Sequence, residues 1–234
     1  TPTVTHYKLA KYFLDNKIHV LLEKPMTETV AQAKKLNAIA KKNKCVLQIG
    51  HLEQFNPAIR KLRKSTCKPQ FIEVHRLCQF NPRANDVDVV LDLMIHDIDI
   101  VLSIVNKKID SIEVSGKKIL TNLTDIANVR IKFKDNIVAN LTASRISSKN
   151  ERKMRIFSNN SYYSIDFINN KLKKIHKDRR NSFKVTDFNF KKTDVLDDEI
   201  NNFVNTCLGK EKSMTTGTSG LEALIVAKKI SKGI

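Results

Sequence analysis

Three titratable side chains, those of Lys24, Asp92 and His96, are of types and at positions that could act on a bound substrate. Asp92 and His96 are four residues apart in a segment whose apolar residues recur at helical spacing, so an α-helix would place both on one face, with Cβ atoms about 5 to 6 Å apart. A carboxylate in that position can orient an imidazole and stabilise its protonated form, which suits a general base working near neutral pH. A solvated polar stripe on an amphipathic helix is the alternative, and the spacing alone leaves both open.

Lys24 follows a short apolar run at residues 19–22 and lies between Glu23 and Pro25. The run predicts a buried strand, which Pro25 ends because proline cannot continue a central strand. Ligands of open α/β sheets bind outside the carboxyl ends of strands, so a lysine there is a candidate site residue. A surface lysine in a lysine-rich chain explains the position equally well.

The segment Gly50 to Pro57 reads GHLEQFNP and concentrates polar side chains after a second apolar run. Turn and cap chemistry explains Gly50, Asn56 and Pro57 but not His51 and Glu53. A polar loop that follows a strand is a common place for binding residues, and an ordinary connector is the equal alternative.

The elements that would position these residues change in type along the chain. Predicted strands at about residues 19–22 and 46–49 enclose a helix, the order of a parallel α/β sheet. An amphipathic helix is predicted over about residues 87–105, and from residue 129 the apolar period changes to two, which indicates antiparallel strands. Two helices close the chain, the first with a predicted apolar face at Leu196, Ile200, Phe203 and Cys207.

Composition narrows the classes of protein that this chain can be. With 234 residues, of which 41% are hydrophobic, the chain can bury a core. It has no apolar run of transmembrane length and no signal-peptide pattern at residue 1, so we expect no membrane partner and a cytoplasmic location. The four cysteines form no CxxC pair, and Asp92, His96 and Asp99 lack further ligands for a metal site, so none is expected. A net charge of +18 raises nucleic-acid binding as an alternative, but the lysines are dispersed and aromatics are few, so nucleic acid is not the expected partner.

Several segments resemble the Gfo/Idh/MocA oxidoreductase family. They are Thr1, Pro2 and His6, similar to its TPxxxH segment; residues 20–25, similar to its EKP motif; and Asp92 with His96, similar to its D-x-x-x-H pair. The resemblance implies an α/β fold in two domains. Residues 1–50 would be the C-terminal half of a Rossmann-type dinucleotide-binding domain. Residues 51–234 would be an α+β domain with an open, mainly antiparallel sheet, its last helix packing back on the first domain.

The resemblance also implies roles for these residues. Lys24 would lie beside the nicotinamide of NAD or NADP and help activate the reacting hydroxyl, His96 would be the acid/base, and Asp92 would orient His96 and the substrate. The three would have to converge on one cleft at the junction of the parallel and antiparallel sheets. The cofactor-binding candidates are Thr1, Pro2, His6, Glu23, Lys24 and Pro25.

A finer resemblance, at residues 50–57 and 92–99, is to members that oxidise the 3-hydroxyl of UDP-N-acetylglucosamine. It implies a sugar or UDP-sugar substrate, and the resemblance to the family also implies a homo-oligomer that pairs through the open sheet. The substrate-binding candidates are His51, Glu53, Asn56, Arg76 and Arg83. The two arginines are candidates on chemistry alone, because a guanidinium can bind a diphosphate through two hydrogen bonds.

The larger of two departures from the family is that no GxGxxG occurs anywhere in the sequence; the other is that the family's usual glycines before the D-x-x-x-H pair are replaced by residues 86–89. The GxGxxG turn and the helix after it hold the cofactor pyrophosphate in a complete Rossmann domain. An NAD(P)-dependent sugar oxidoreductase, completed by a separate N-terminal fragment or by a longer polypeptide, is therefore one hypothesis. A truncated or decayed family member without independent activity is the second, and a basic nucleic-acid-binding protein is the third.

Overall fold

A computed structural model of the chain describes residues 1–65, 67–81, 87–177, 182–191 and 194–234. The helices within these ranges are α1 (Thr3–Asp15), α2 (Val30–Lys42), α3 (Pro57–Arg63), α4 (Ile95–Val105), α5 (Val195–Cys207) and α6 (Gly217–Gly233). The strands are β1 (Val20–Leu22), β2 (Leu47–Ile49), β3 (Pro69–Leu77), β4 (Ile109–Lys117), β5 (Ile126–Phe133), β6 (Val138–Ser144), β7 (Glu151–Ser158), β8 (Ser161–Asp166), β9 (Lys171–Lys177) and β10 (Phe183–Asn189). A 3-10 turn at Leu52–Phe55, another at Lys134–Asn136 and a π-helical turn at Val90–Met94 complete the regular structure of the described residues.

The chain divides into two compact units. The first comprises Thr1–Phe55 and Asp194–Lys228, and the second comprises Asn56–Thr193 and Lys229–Ile234. The first unit includes the 3-10 turn at Leu52–Phe55, which packs against α5. The first unit also takes in α5 and most of α6, whereas the sequence suggested only that the last helix returns to the first domain.

The first unit is built on a parallel strand pair, as the strand, helix, strand order predicts. Val20 of β1 lies opposite Leu47 of β2. Thr29 and Gln32 form a reciprocal capping box that starts α2, satisfying backbone N–H groups that would otherwise have no partner. The start of α6 packs directly on β2, because a Cβ on Gly220 would lie 2.5 Å from a side-chain carbon of Ile49.

The predicted apolar face of α5 is wrong for two of its four residues, whereas Phe203 and Cys207 are half-buried. Leu196 and Ile200 are exposed, whereas Glu199 and Asn202 are buried. The reason is tertiary hydrogen bonding. The Gln48 side chain of β2 donates to the Glu199 carbonyl, and the Asn202 amide donates to the Glu211 carboxylate, so the polar side of the helix faces inward.

The second unit carries an eight-stranded sheet in the order β10-β9-β8-β7-β3-β6-β5-β4. Every neighbouring pair is antiparallel except β3 with β6, which is parallel. The sheet confirms the prediction of an open, mainly antiparallel α+β domain. Its apolar residues alternate along the strands, so that Ile72 and Val74 of β3 are buried while Glu73 and His75, on the other face, are only half-buried.

The single helix predicted over about residues 87–105 consists of two parts. Asp88 accepts hydrogen bonds from the N–H groups of Val90 and Leu91, both at 2.9 Å, and the π-helical turn follows at once. The α-helix α4 continues to Val105 and ends at Asn106, whose φ of 47° lies in the left-handed region. Among the described residues, no helix is both long and apolar enough to span a bilayer.

Candidate active site

Lys24 lies in the loop that leaves the carboxyl end of β1. Its side chain is half-buried, and the Lys24–Pro25 peptide bond is cis. The buried His6 ring of α1 spans this loop, with Nδ1 3.0 Å from the Pro25 carbonyl oxygen and Nε2 3.0 Å from the Thr1 carbonyl oxygen. The TPxxxH segment and the EKP loop are thus joined through one imidazole, 19 residues from Pro25 in sequence.

Glu23, the first residue of this loop, packs against the end of β2. The Gly50 N–H donates to the Leu22 carbonyl at 2.8 Å, and a Cβ on Gly50 would lie 3.0 Å from a Glu23 carboxylate oxygen. Glycine at position 50 therefore leaves the room that the Glu23 side chain occupies.

A second carboxyl group, that of Glu199 on α5, lies close enough to Glu23 to sense its charge. Burial, and to a lesser extent the negative charge of Glu23, together raise the pKa of Glu199 to about 7. Its Oε1 atom is buried and has no hydrogen-bond partner among the described residues. Neutral Glu199 is thus the form that the fold favours near the carboxyl end of β1.

The GHLEQFNP segment divides its polar residues between the two units. In the first unit His51 is buried and Glu53 is half-buried on the 3-10 turn. Asn56, the first residue of the second unit, is the N-cap of α3, with its side-chain oxygen accepting from the Ala58 N–H at 2.9 Å.

Asp92 and His96 lie on either side of the junction between the π-helical turn and α4. Both side chains are half-buried. The structure therefore keeps the two on consecutive turns, although the first of those turns is π-helical rather than α-helical. Single π-helical turns within helices frequently occur at functional sites.

Arg76 of β3 holds Asp97, the residue after His96, in a buried ion pair. Its Nε lies 2.7 Å from one Asp97 carboxylate oxygen and its Nη2 2.8 Å from the other. Both residues are almost fully buried, at 3% and 2% exposure. The pair fastens the first turn of α4 to a central strand of the sheet. The Nε and Nη2 donors of Arg76 are both engaged by the Asp97 carboxylate. Arg83, the other arginine candidate, lies outside the described residues.

The charges that act on the Cys78 thiol include arginines that the sequence alone did not place near Asp92. Burial and the Asp92 carboxylate raise the pKa of Cys78, which follows β3, while the positive charges of Arg152, Arg145 and Arg76 lower it. Three arginines and Asp92 therefore surround the end of β3. The period-two pattern of β7 could have placed Arg152 on the same face as Met154. Only the pairing of β7 with β3 shows which residues of β3 lie beside Arg152.

The site residues thus form two groups, each within its own unit. Thr1, Pro2, His6, Glu23, Lys24, Pro25, His51 and Glu53 belong to the first unit, and Asn56, Arg76, Asp92 and His96 to the second. Among the described residues, no group of three or more His, Cys, Asp or Glu side chains could hold a metal ion.

Two family models match the chain. Residues 1–51 match one described as the oxidoreductase family with an NAD-binding Rossmann fold, and residues 71–163 match one described as the GFO/IDH/MocA C-terminal domain.

Individual relatives agree with these matches. The UDP-N-acetylglucosamine 3-dehydrogenase of Acidithiobacillus ferrooxidans is 33% identical, over 98% of this chain and 75% of that protein. The scyllo-inositol 2-dehydrogenase (NAD(+)) of Bacillus subtilis is 26% identical, over 63% of this chain and 47% of that protein.

Solved structures share the fold over the whole chain. The structure of UDP-N-acetylglucosamine 3-dehydrogenase GnnA from A. ferrooxidans matches with a TM-score of 0.94 at 33% identity, covering 100% of this chain and 76% of that one. Levoglucosan dehydrogenase in complex with NADH matches with a TM-score of 0.87 at 13% identity, covering 100% of this chain and 76% of that one. At that identity the second likeness concerns the fold alone.

Proposed function

Because this chain belongs to the Gfo/Idh/MocA oxidoreductase family, we propose that it oxidises a sugar hydroxyl with NAD or NADP. Its proposed substrate is the nucleotide sugar UDP-N-acetylglucosamine, which it would oxidise at the 3-hydroxyl. The observation that carries the choice of substrate is the 33% identity to a UDP-N-acetylglucosamine 3-dehydrogenase over 98% of the chain. The structural likeness to that enzyme, with a TM-score of 0.94, supports the same choice.

In the proposed mechanism His96 is the general base. Its imidazole takes the proton of the reacting hydroxyl, and the Asp92 carboxylate orients the ring and stabilises the positive charge that the ring gains. The Lys24 ammonium stabilises the negative charge that develops on the same oxygen. When bound, the nicotinamide cofactor supplies the acceptor for the hydride.

The residues at the carboxyl end of β1 fit one part of a nicotinamide site. Gly50 carries no side chain that would crowd Glu23, and ligands of α/β sheets bind at this edge. Glu23, Lys24 and Pro25 would contact the cofactor, with His6, Thr1 and Pro2 supporting their loop. The 234 residues contain no GxGxxG to hold the pyrophosphate, so we propose that a further segment, on the same polypeptide or as a separate N-terminal fragment, supplies it.

The test is the rate of NADH formation with UDP-N-acetylglucosamine by the complete enzyme. We expect Lys24→Ala and His96→Ala each to lower kcat by about 10²- to 10⁴-fold, the usual contribution of an acid/base or charge-stabilising group. Lys8→Ala on the exposed side of α1 and Ser103→Ala on the exposed side of α4 are the matched controls and should retain wild-type rates. Wild-type turnover by the Lys24 and His96 variants would end the proposal.

The open face of the eight-stranded sheet is the surface that we propose for a homo-oligomer. It carries a hollow of about 430 Å³ lined by polar side chains, including Asn128, Asn140 and Thr142. These polar groups already bond one another across strands: Asn128 donates to Thr142 at 2.9 Å, and Arg130 donates to Asn140 at 3.1 Å. A face whose polar groups are satisfied in this way can be covered by a second copy without leaving them unpaired.

A further inference from the structure

The position of Arg152 follows from strand register. Arg152 of β7 lies directly opposite Arg76 of β3 in an antiparallel pair. Residues directly opposite each other point to the same face of the sheet, so Arg152 lies on the face where Arg76 holds Asp97. The next pair along this face, Val74 with Met154, is buried, whereas Arg152 is exposed. The sheet therefore passes from covered core to accessible surface at this end of β3.

The three arginines around this end differ in their exposure. Arg76 is buried against Asp97, and Arg145 is buried against Asp125 with its Nε 2.9 Å from the carboxylate. Arg152 is the exposed one of the three, and its charge acts on the same Cys78 thiol as the charge of Asp92. The exposed Arg152 and the proposed catalytic Asp92 thus both lie near Cys78.

The backbone beside Arg152 is held in place by the loop that follows β3. The Gln79 N–H donates to the Asn150 side chain at 3.1 Å, and the Gln79 side chain donates to the Ser148 carbonyl at 2.9 Å. The Ser147 N–H donates to the Cys78 carbonyl at 3.0 Å. These bonds fix the start of β7 and reduce the conformational entropy lost when its first residues bind a ligand.

From this arrangement we infer that Arg152 is an anion-binding residue of the substrate site, and that its ligand is the diphosphate of a nucleotide sugar. The sugar part of the inference rests on the proposed function. A guanidinium presents paired N–H donors that match phosphate oxygens, and Arg152 is exposed where this face of the sheet becomes accessible. Arg76, whose donors are engaged by Asp97, would act as a support for this site rather than as a direct contact.

Arg155 provides a matched control on the same strand. It lies three residues from Arg152, on the opposite face of β7, where its guanidinium pairs with Glu73 at 3.4 Å. Replacing either arginine with alanine removes the same charge from a chain of net charge +18. A difference between the two variants therefore reports position and not overall electrostatic attraction.

The experiment measures binding of UDP, inorganic pyrophosphate and NADH to the complete enzyme by isothermal titration calorimetry. We expect Arg152→Ala to weaken UDP binding by about tenfold or more, the scale of one charge-assisted hydrogen bond, and Arg155→Ala to leave it within about twofold. Arg152→Lys should lie between wild type and Arg152→Ala, since it keeps the charge and loses the paired donors. Weaker pyrophosphate binding by Arg152→Ala would support recognition of the diphosphate itself.

Several outcomes would overturn the inference: unchanged UDP affinity in Arg152→Ala, equal losses in both alanine variants, loss of NADH affinity without loss of UDP affinity, or no UDP binding by the wild-type chain. Failure of the proposed function is a separate result. UDP binding that depends on Arg152 in an enzyme that forms no NADH would remove the function and keep the site. Normal KM and kcat for the nucleotide sugar in Arg152→Ala would keep the function and remove the site.

Discussion

Arg76 and Asp97 form an ion pair that is almost fully buried. Replacing one partner tests how much this pair contributes to the stability of the fold around α4. Asp97→Ala would leave a buried guanidinium without its carboxylate, so we expect the free energy of unfolding to fall by about 3–5 kcal/mol. The measurement is urea denaturation followed by circular dichroism.

The control for this prediction is an exposed ion pair, Lys132 with Glu113. Glu113→Ala should leave the stability close to that of wild type, because exposed ion pairs contribute little. The double variant Arg76→Met with Asp97→Leu should recover much of the loss, because it removes both charges together. A cost below about 1 kcal/mol for Asp97→Ala would contradict the burial on which this argument depends.

Glu199 is the second residue whose burial has a measurable consequence. Burial, and then the nearby Glu23 carboxylate, raise its pKa to about 7, above the value of about 4.3 in an unfolded chain. The folded state therefore binds this proton more tightly than the unfolded state does. The stability that protonated Glu199 contributes is complete below about pH 4 and is lost as the pH rises through about 7.

Glu199→Gln removes this ionisation, so we expect the variant to gain stability relative to wild type as the pH rises from about 4 to about 7, with no such trend below about pH 4. Glu222→Gln, at an exposed position of α6, is the matched control and should parallel wild type throughout. Thermal unfolding across this pH range measures the effect, and parallel curves for wild type and Glu199→Gln would refute it.

At the scale of elements, the connection between β4 and β5 is organised around one carboxylate. Asp125 accepts hydrogen bonds from the backbone N–H groups of Ile119, Leu120 and Thr121, and it also binds Arg145. Although burial alone would raise its pKa, hydrogen bonds from the Thr121 hydroxyl and from these N–H groups hold the pKa of Asp125 well below its usual range. The charged carboxylate thus fixes the connecting loop.

The stability that ionised Asp125 contributes is present above its unfolded pKa of about 3.9 and is lost as the pH falls below it. Asp125→Asn keeps the size and loses the charge, so it should be less stable than wild type at neutral pH and should approach wild type in acid. Asp187→Asn, at an exposed position on β10, is the control and should show a much smaller difference. An Asp125 difference that does not shrink below about pH 4 would argue against this account.

At the scale of the whole molecule, the proposed oligomer predicts that one substitution on the open sheet face changes the assembly. Thr142→Glu, in the middle of that face on β6, would place two like charges near a two-fold axis, so we expect it to dissociate the oligomer. Analytical ultracentrifugation at micromolar concentration measures the outcome. Lys8→Glu on α1 should leave the assembly unchanged, and a wild-type protein that sediments as a monomer would refute the interface.

The amino-acid sequence by itself determined the local structure of this protein and the family motifs that point to its chemistry. The parallel β1 and β2 with α2 between them, the period-two strands and the Asn56 cap all depend on residues close in the chain, so their patterns are visible before folding. The same holds for the presence of the two closing helices, although the face that α5 buries was not predictable from the sequence.

Tertiary structure alone decided which side chains became partners. Arg76 was expected to meet a ligand, but it is held by Asp97 across the space between a strand and a helix, and Arg152 became its neighbour through strand register. On α5 the polar Glu199 turned inward because a side chain 151 residues away binds its backbone. Such contacts join residues far apart in the chain, and their free energies exceed the weak local preferences that a single sequence reveals.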